Sequence, residues 1–120
     1  MSSFFKSFTY AFNGIKLSLQ QRNMKVHVCC AFLAIVFGFI LKINFTEWCI
    51  ILICIGVVLA LEIINTAIES FVDLVEPNHH PVAGKIKDLA AGAVLVFSII
   101  TALIGIMIFG KYILALLGYN

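Results

Sequence analysis

The chain has 120 residues, 62% of them hydrophobic and 12% charged, with a net charge of +2 at neutral pH. A soluble domain carries about 25% charged residues, so water is not the main solvent of this chain. So small an excess of positive charge also gives it no footing on a nucleic acid.

From residue 4 to about 20, Phe4, Phe5, Phe8, Phe12, Ile15 and Leu19 fall on one arc at about 100° per residue. Lys6, Thr9, Asn13 and Lys16 take the other side. The pattern predicts an amphipathic helix lying on the membrane surface, with a soluble helix packed on its neighbours as the alternative. Val26 to Leu41 is uncharged and lies between Lys25 and Lys42, whose long stems reach the interface when a span is short. Trp48 to Leu61 is apolar, and its pattern continues through polar residues to about Val75. Leu89 to Gly110 carries no charge. Crossing about 30 Å of hydrocarbon takes about 20 helical residues, so each run is long enough for a transmembrane helix or part of one. The expected fold is all-α: a surface helix over about 4–20 and membrane helices over about 25–43, 47–75 and 86–117, within a single domain, 1–120.

The first apolar run begins about 25 residues in and lacks a small-x-small cleavage pattern, so it reads as a retained span rather than a signal peptide. Cys29, Cys30, Cys49 and Cys54 form no CxxC pair and read as small apolar side chains within spans. Lys6, Lys16, Arg22 and Lys25 precede the first span, and Lys85 and Lys87 lie between the second and third. Only Lys42 and Lys111 fall on the other side. The positive-inside rule then places the N-terminus and the 73–88 connection in the cytoplasm and the C-terminus outside.

Asn44 and Thr46 flank the turn between the first two spans, and Thr46 is expected to cap the second helix with Glu47 in its first turn. Glu76-Pro77-Asn78-His79-His80-Pro81 ends that helix, because each proline lacks a donor and restricts its predecessor. Gly84 is read as preceding a new helical run and allowing close backbone approach.

Glu62, Asn65, Glu69, Asp73 and Glu76 recur at helical spacing and fall within roughly an 80° arc. Carboxylates that begin inside a span are expensive there, and they face a polar cavity or mark a functional site. A helix surfacing into water accounts for Glu76 and partly for Asp73. It does not account for Glu62, which sits among Leu61, Ile63 and Ile64. Such carboxylates bind a hard divalent cation through oxygen and take a proton from a hydroxyl. Lys87 and Asp88 return to the same mouth after the connection, completing the set of lysine, carboxylates and Mg²⁺ that positions phosphates. There is no GxxxxGK[ST] loop, so any nucleotide site is built differently. His80 is a candidate phosphate or adenine donor and His79 a poorer one, while His27 reads as a polar interface residue rather than a ligand.

The run Glu62-Ile-Ile-Asn65-Thr-Ala-Ile-Glu69-Ser-Phe-Val-Asp73, with Gly84-Lys-Ile-Lys87-Asp88, resembles the prokaryotic diacylglycerol kinase and undecaprenol kinase family. Asn23-Met-Lys25-Val-His27 is similar to that family's first-span region. The resemblance implies a homotrimer in the cytoplasmic membrane that transfers phosphate from ATP, with Mg²⁺, to a lipid hydroxyl. It further implies Glu62 as base and Glu69 as metal ligand. Asn65, Asp73, His80, Lys87 and Asp88 then organise phosphates and site, Tyr10 approaches the adenine, and Gly84 belongs to the connecting loop. Two departures stand out: Gln21 occupies the position of a second metal-binding glutamate, and the interval from Gly14 to His27 is one residue short. The Arg22-Asn23-Met24-Lys25-x-His27 stretch is similar to members acting on undecaprenol, the family name points to diacylglycerol, and no residue decides between the two. Rival readings are a small proton-coupled transporter built on Glu62 and a non-enzymatic membrane scaffold.

Overall fold

The computed structural model describes residues 2–119, and among them the chain forms four helices: α1 (Ser3–Ser18), α2 (Arg22–Leu41), α3 (Phe45–Val75) and α4 (Pro81–Leu116). The last three are long and apolar enough to cross a membrane. At 1.5 Å per residue they measure about 30, 46 and 54 Å, so α3 and α4 overrun the hydrocarbon that α2 just spans.

The two longest helices form an antiparallel hairpin, and α2 packs more loosely against both, while α1 touches α3. The chain extends 57 × 44 × 20 Å, a slab too thin to hide side chains on both faces. Its buried apolar core is correspondingly small: Met24, Ile43, Ile51, Cys54, Val58, Val72, Val94 and Ile108. Most other Leu, Ile, Val and Phe side chains are exposed, as lipid or further copies of the chain as solvent would require. On α1 the rings of Phe4 and Phe8 stack edge-on at 5.1 Å and leave the aromatic face uncovered, as a surface helix does.

The sharp turn between α2 and α3 rests on Lys42, whose backbone is left-handed (φ 54°). Gly38 lets Trp48 close over it: a Cβ there would lie 2.7 Å from the indole ring. The cap of α3 is Asn44, not the expected Thr46. Asn44 Oδ1 accepts from the Glu47 N–H at 2.9 Å, and Glu47 Oε2 accepts from the Asn44 N–H at 3.0 Å, a reciprocal capping box. The same carboxylate ties the far end of α4 to the start of α3. Tyr112 donates its hydroxyl proton to Glu47 Oε2 at 2.6 Å, and the Lys111 ammonium pairs with Oε1.

At the other end of the hairpin α4 begins at Pro81 rather than near 86. Proline suits a first helical position because its missing N–H has no partner there anyway. His80 supplies the cap, its Nδ1 accepting from the Val82 N–H at 3.1 Å. Gly84 therefore stands in the first turn of α4, not in the connecting loop and not ahead of the helix. No atom comes within 4 Å of where its Cβ would be, so no close approach within this chain uses it.

Candidate active site

The polar stripe lies along the half of α3 remote from Glu47. Glu62 is the deepest member, 3% exposed, and the nearest ionisable group is His27 on α2, its Nε2 3.8 Å from Glu62 Oε2. One turn on, Asn65 is 4% exposed. Its Nδ2 donates to Glu69 Oε1 at 3.1 Å, while its Oδ1 is buried with no partner. Beyond it, the Asp73 carboxylate meets the Lys87 ammonium across the hairpin. The helical spacing that suggested one face therefore produces one.

Where α3 ends, a cavity of about 270 Å³ opens between the connection and the start of α4, lined by Asp73, Glu76, His79, His80, Gly84 and Lys87. Glu76 Oε1 accepts from the Asn78 N–H at 3.2 Å and holds the connection over it. With Nδ1 engaged in capping, His80 has only Nε2 to offer a ligand. His79, the weaker candidate in sequence, lines the same cavity.

Three sequence candidates are not drawn in. Tyr10 on α1 is 69% exposed, and Gln21 and Asp88 are exposed as well. Gln21 is the N-cap residue of α2, yet its side chain makes no capping hydrogen bond. Sequence reading also passed over two groups. Local sequence gives Glu47 as a favourable first-turn charge and His27 as an interface residue, but each faces a group distant in sequence.

Among the described residues no three His, Cys, Asp or Glu side chains are placed to hold a metal ion between them. Mg²⁺ in phosphate-transferring sites takes one or two carboxylates and completes its shell with phosphate oxygens and water. Glu69, beside the orphaned amide oxygen of Asn65, fits such a shared site. Nothing here fits an all-protein cage.

These features define a class: a helical membrane protein with three apolar helices and an acid-rich cavity, closed by a lysine, at one end of its longest hairpin. The chain belongs to the prokaryotic diacylglycerol kinase family, which its residues 9–109 match, the family that the Glu62 to Asp88 motif resembles. It is 44% identical over 110 residues to an undecaprenol kinase of Bacillus subtilis, covering 91% of this chain and 89% of the relative. A diacylglycerol kinase of Helicobacter pylori is 33% identical over 113 residues, covering 93% and 85%. A diacylglycerol kinase of Escherichia coli is 27% identical over 100 residues, covering 82% and 81%.

Proposed function

We propose that the protein is a lipid kinase that transfers the γ-phosphoryl group of ATP to the hydroxyl of a membrane alcohol, undecaprenol or diacylglycerol. The observation that carries this reading is the continuity, on one face of α3, of a buried carboxylate with a polar cavity that Lys87 closes. The first is suited to a lipid hydroxyl and the second to phosphates. A proton carrier has no need of the Lys87 side of the site.

Glu62 takes the proton of the acceptor hydroxyl as its oxygen bonds to the γ-phosphorus, and the bond from that phosphorus to the bridging oxygen breaks to release ADP. Glu69, with the free amide oxygen of Asn65, would hold Mg²⁺, and the ion would supply neutralisation of developing phosphate charge. Lys87, steered by Asp73, lies on the phosphates, with His80 and Asp88 around them. Tyr10 and Gln21, exposed and outside this cluster in the single chain, are assigned to the adenine and to the metal by the family resemblance alone. The names of the relatives support the reaction class, and the homotrimer rests on the family resemblance alone.

The distribution of lysine and arginine supports placing α1 and the 73–88 connection on the cytoplasmic side of the cell membrane and the C-terminus outside. Reporters fused to the two termini are expected to light up on opposite sides, and a same-side result overturns the orientation. Purified protein, radiolabelled ATP and each lipid in turn test the activity. Label in either lipid sustains the reading, and none in both defeats it.

A further inference from the structure

We infer that His27 is the second group that grips the acceptor hydroxyl: it donates Nε2–H to the hydroxyl oxygen while the hydroxyl donates its own proton to Glu62. This deepens the lipid kinase reading and rests on it.

The gap between His27 Nε2 and Glu62 Oε2 is 3.8 Å, too long for a direct hydrogen bond. An oxygen placed about 2.8 Å from both completes a triangle of ordinary hydrogen-bond lengths. An alcohol oxygen is suited to that point, since it carries one donor and two acceptor lone pairs. One pair accepts from His27, the proton goes to Glu62, and the other pair faces the phosphorus. Water would meet the same two groups, and what favours an alcohol is the apolar groove at whose head His27 stands.

His27 is also at the head of a groove of about 290 Å³ between α2, α3 and α4, which continues past Cys30, Ala34 and Val58 on one side and Ser98 and Thr101 on the other. The lining is overwhelmingly apolar and Cys30 is exposed, so a hydrocarbon chain enters sideways from the membrane. His27 is its polar group at the end near Glu62, while the hydroxyls of Ser98 and Thr101 along its wall are buried with no partner in the protein. The ligand that matches such a groove is a long hydrocarbon ending in an alcohol. Glu62, 3% exposed, does not itself line the groove; His27 is the lining residue whose Nε2 approaches it.

The test compares His27→Leu, His27→Gln and His27→Asn in membranes. Glutamine keeps an N–H donor at nearly the reach of Nε2, asparagine carries the same amide one methylene short, and leucine has none. The expected result is a fall of roughly 10- to 100-fold in kcat/KM for the lipid with leucine, a KM for ATP unchanged, and recovery of most activity with glutamine but not asparagine. A His27–Glu62 ion pair that only holds the helices together would instead be lost equally in glutamine and leucine, with ATP kinetics disturbed too, and that outcome overturns the inference. So does leucine turning over like wild type. If leucine fails to assemble, the glutamine and asparagine pair decides alone, because equal activity in those two overturns the grip. Wild-type protein inert towards both lipids defeats the kinase reading and the grip with it, whereas active wild type with an indifferent His27 defeats the grip only.

Discussion

The α3–α4 hairpin carries a buried carboxylate towards each end, and the two are treated in opposite ways. At one end both oxygens of Glu47 are engaged, by the Asn44 N–H and the Tyr112 hydroxyl on one and by Lys111 on the other. At the other end Glu62 faces only a histidine beyond hydrogen-bond reach, and Asn65 buries an oxygen with no partner. Buried polar groups left open are costly, so the shortfall around Glu62 and Asn65 calls for a partner, and the proposed acceptor and metal sites supply one. Burial and charge alone do not separate a structural acid from a working one; the tally of hydrogen-bond partners does.

The sharpest way to break this comparison is to disable each end separately. Glu62→Gln and Glu69→Ala are expected to lower turnover by about 100-fold or more while the thermal unfolding midpoint stays near wild type, since groups waiting for a ligand add little to packing. Glu47→Ala is expected to do the reverse, lowering the midpoint clearly while activity below it stays close to normal. Calorimetry and lipid phosphorylation on the same preparations check both, and activity lost equally at the two ends would erase the distinction. A smaller effect is expected from Lys87→Met, a KM for ATP raised by about tenfold with the lipid KM little changed, because a point charge on phosphate is lost but the acceptor site is untouched. Smallest and of opposite sign is Gln21→Glu. A carboxylate there should lower the Mg²⁺ concentration for half-maximal rate, by up to about tenfold for one charge-assisted ligand. An unchanged Mg²⁺ midpoint would exclude Gln21 from the metal.

Periodicity made the three apolar helices and the Glu62 to Glu76 face legible in the sequence, because a helix converts spacing directly into direction. What spacing cannot supply is the partner across a hairpin. Glu47 and Tyr112 lie 65 residues apart, and no local signal joins them. A simple argument reaches His27: it lies 14 residues before the end of α2 at Leu41 and Glu62 lies 17 after the start of α3 at Phe45, so antiparallel α2 and α3 bring them within about one turn of each other. α4 starts earlier than the sequence predicts because Pro81, a breaker inside a helix, is a starter at a first position capped by His80.

The overhang of α3 and α4 ties the site to the thickness of the bilayer. The rise from Glu47 to Glu62 along α3 is about 22 Å, somewhat short of a hydrocarbon layer of about 30 Å. Lipid hydroxyls, in contrast, sit at the boundary of that layer wherever it falls. With the Glu47 end held at one face, a thinner bilayer lifts Glu62 towards the opposite headgroups and a thicker one sinks it among acyl chains. On the proposed reading Glu62 meets its alcohol at a depth that the surrounding lipid sets, and acyl-chain length is expected to change the rate.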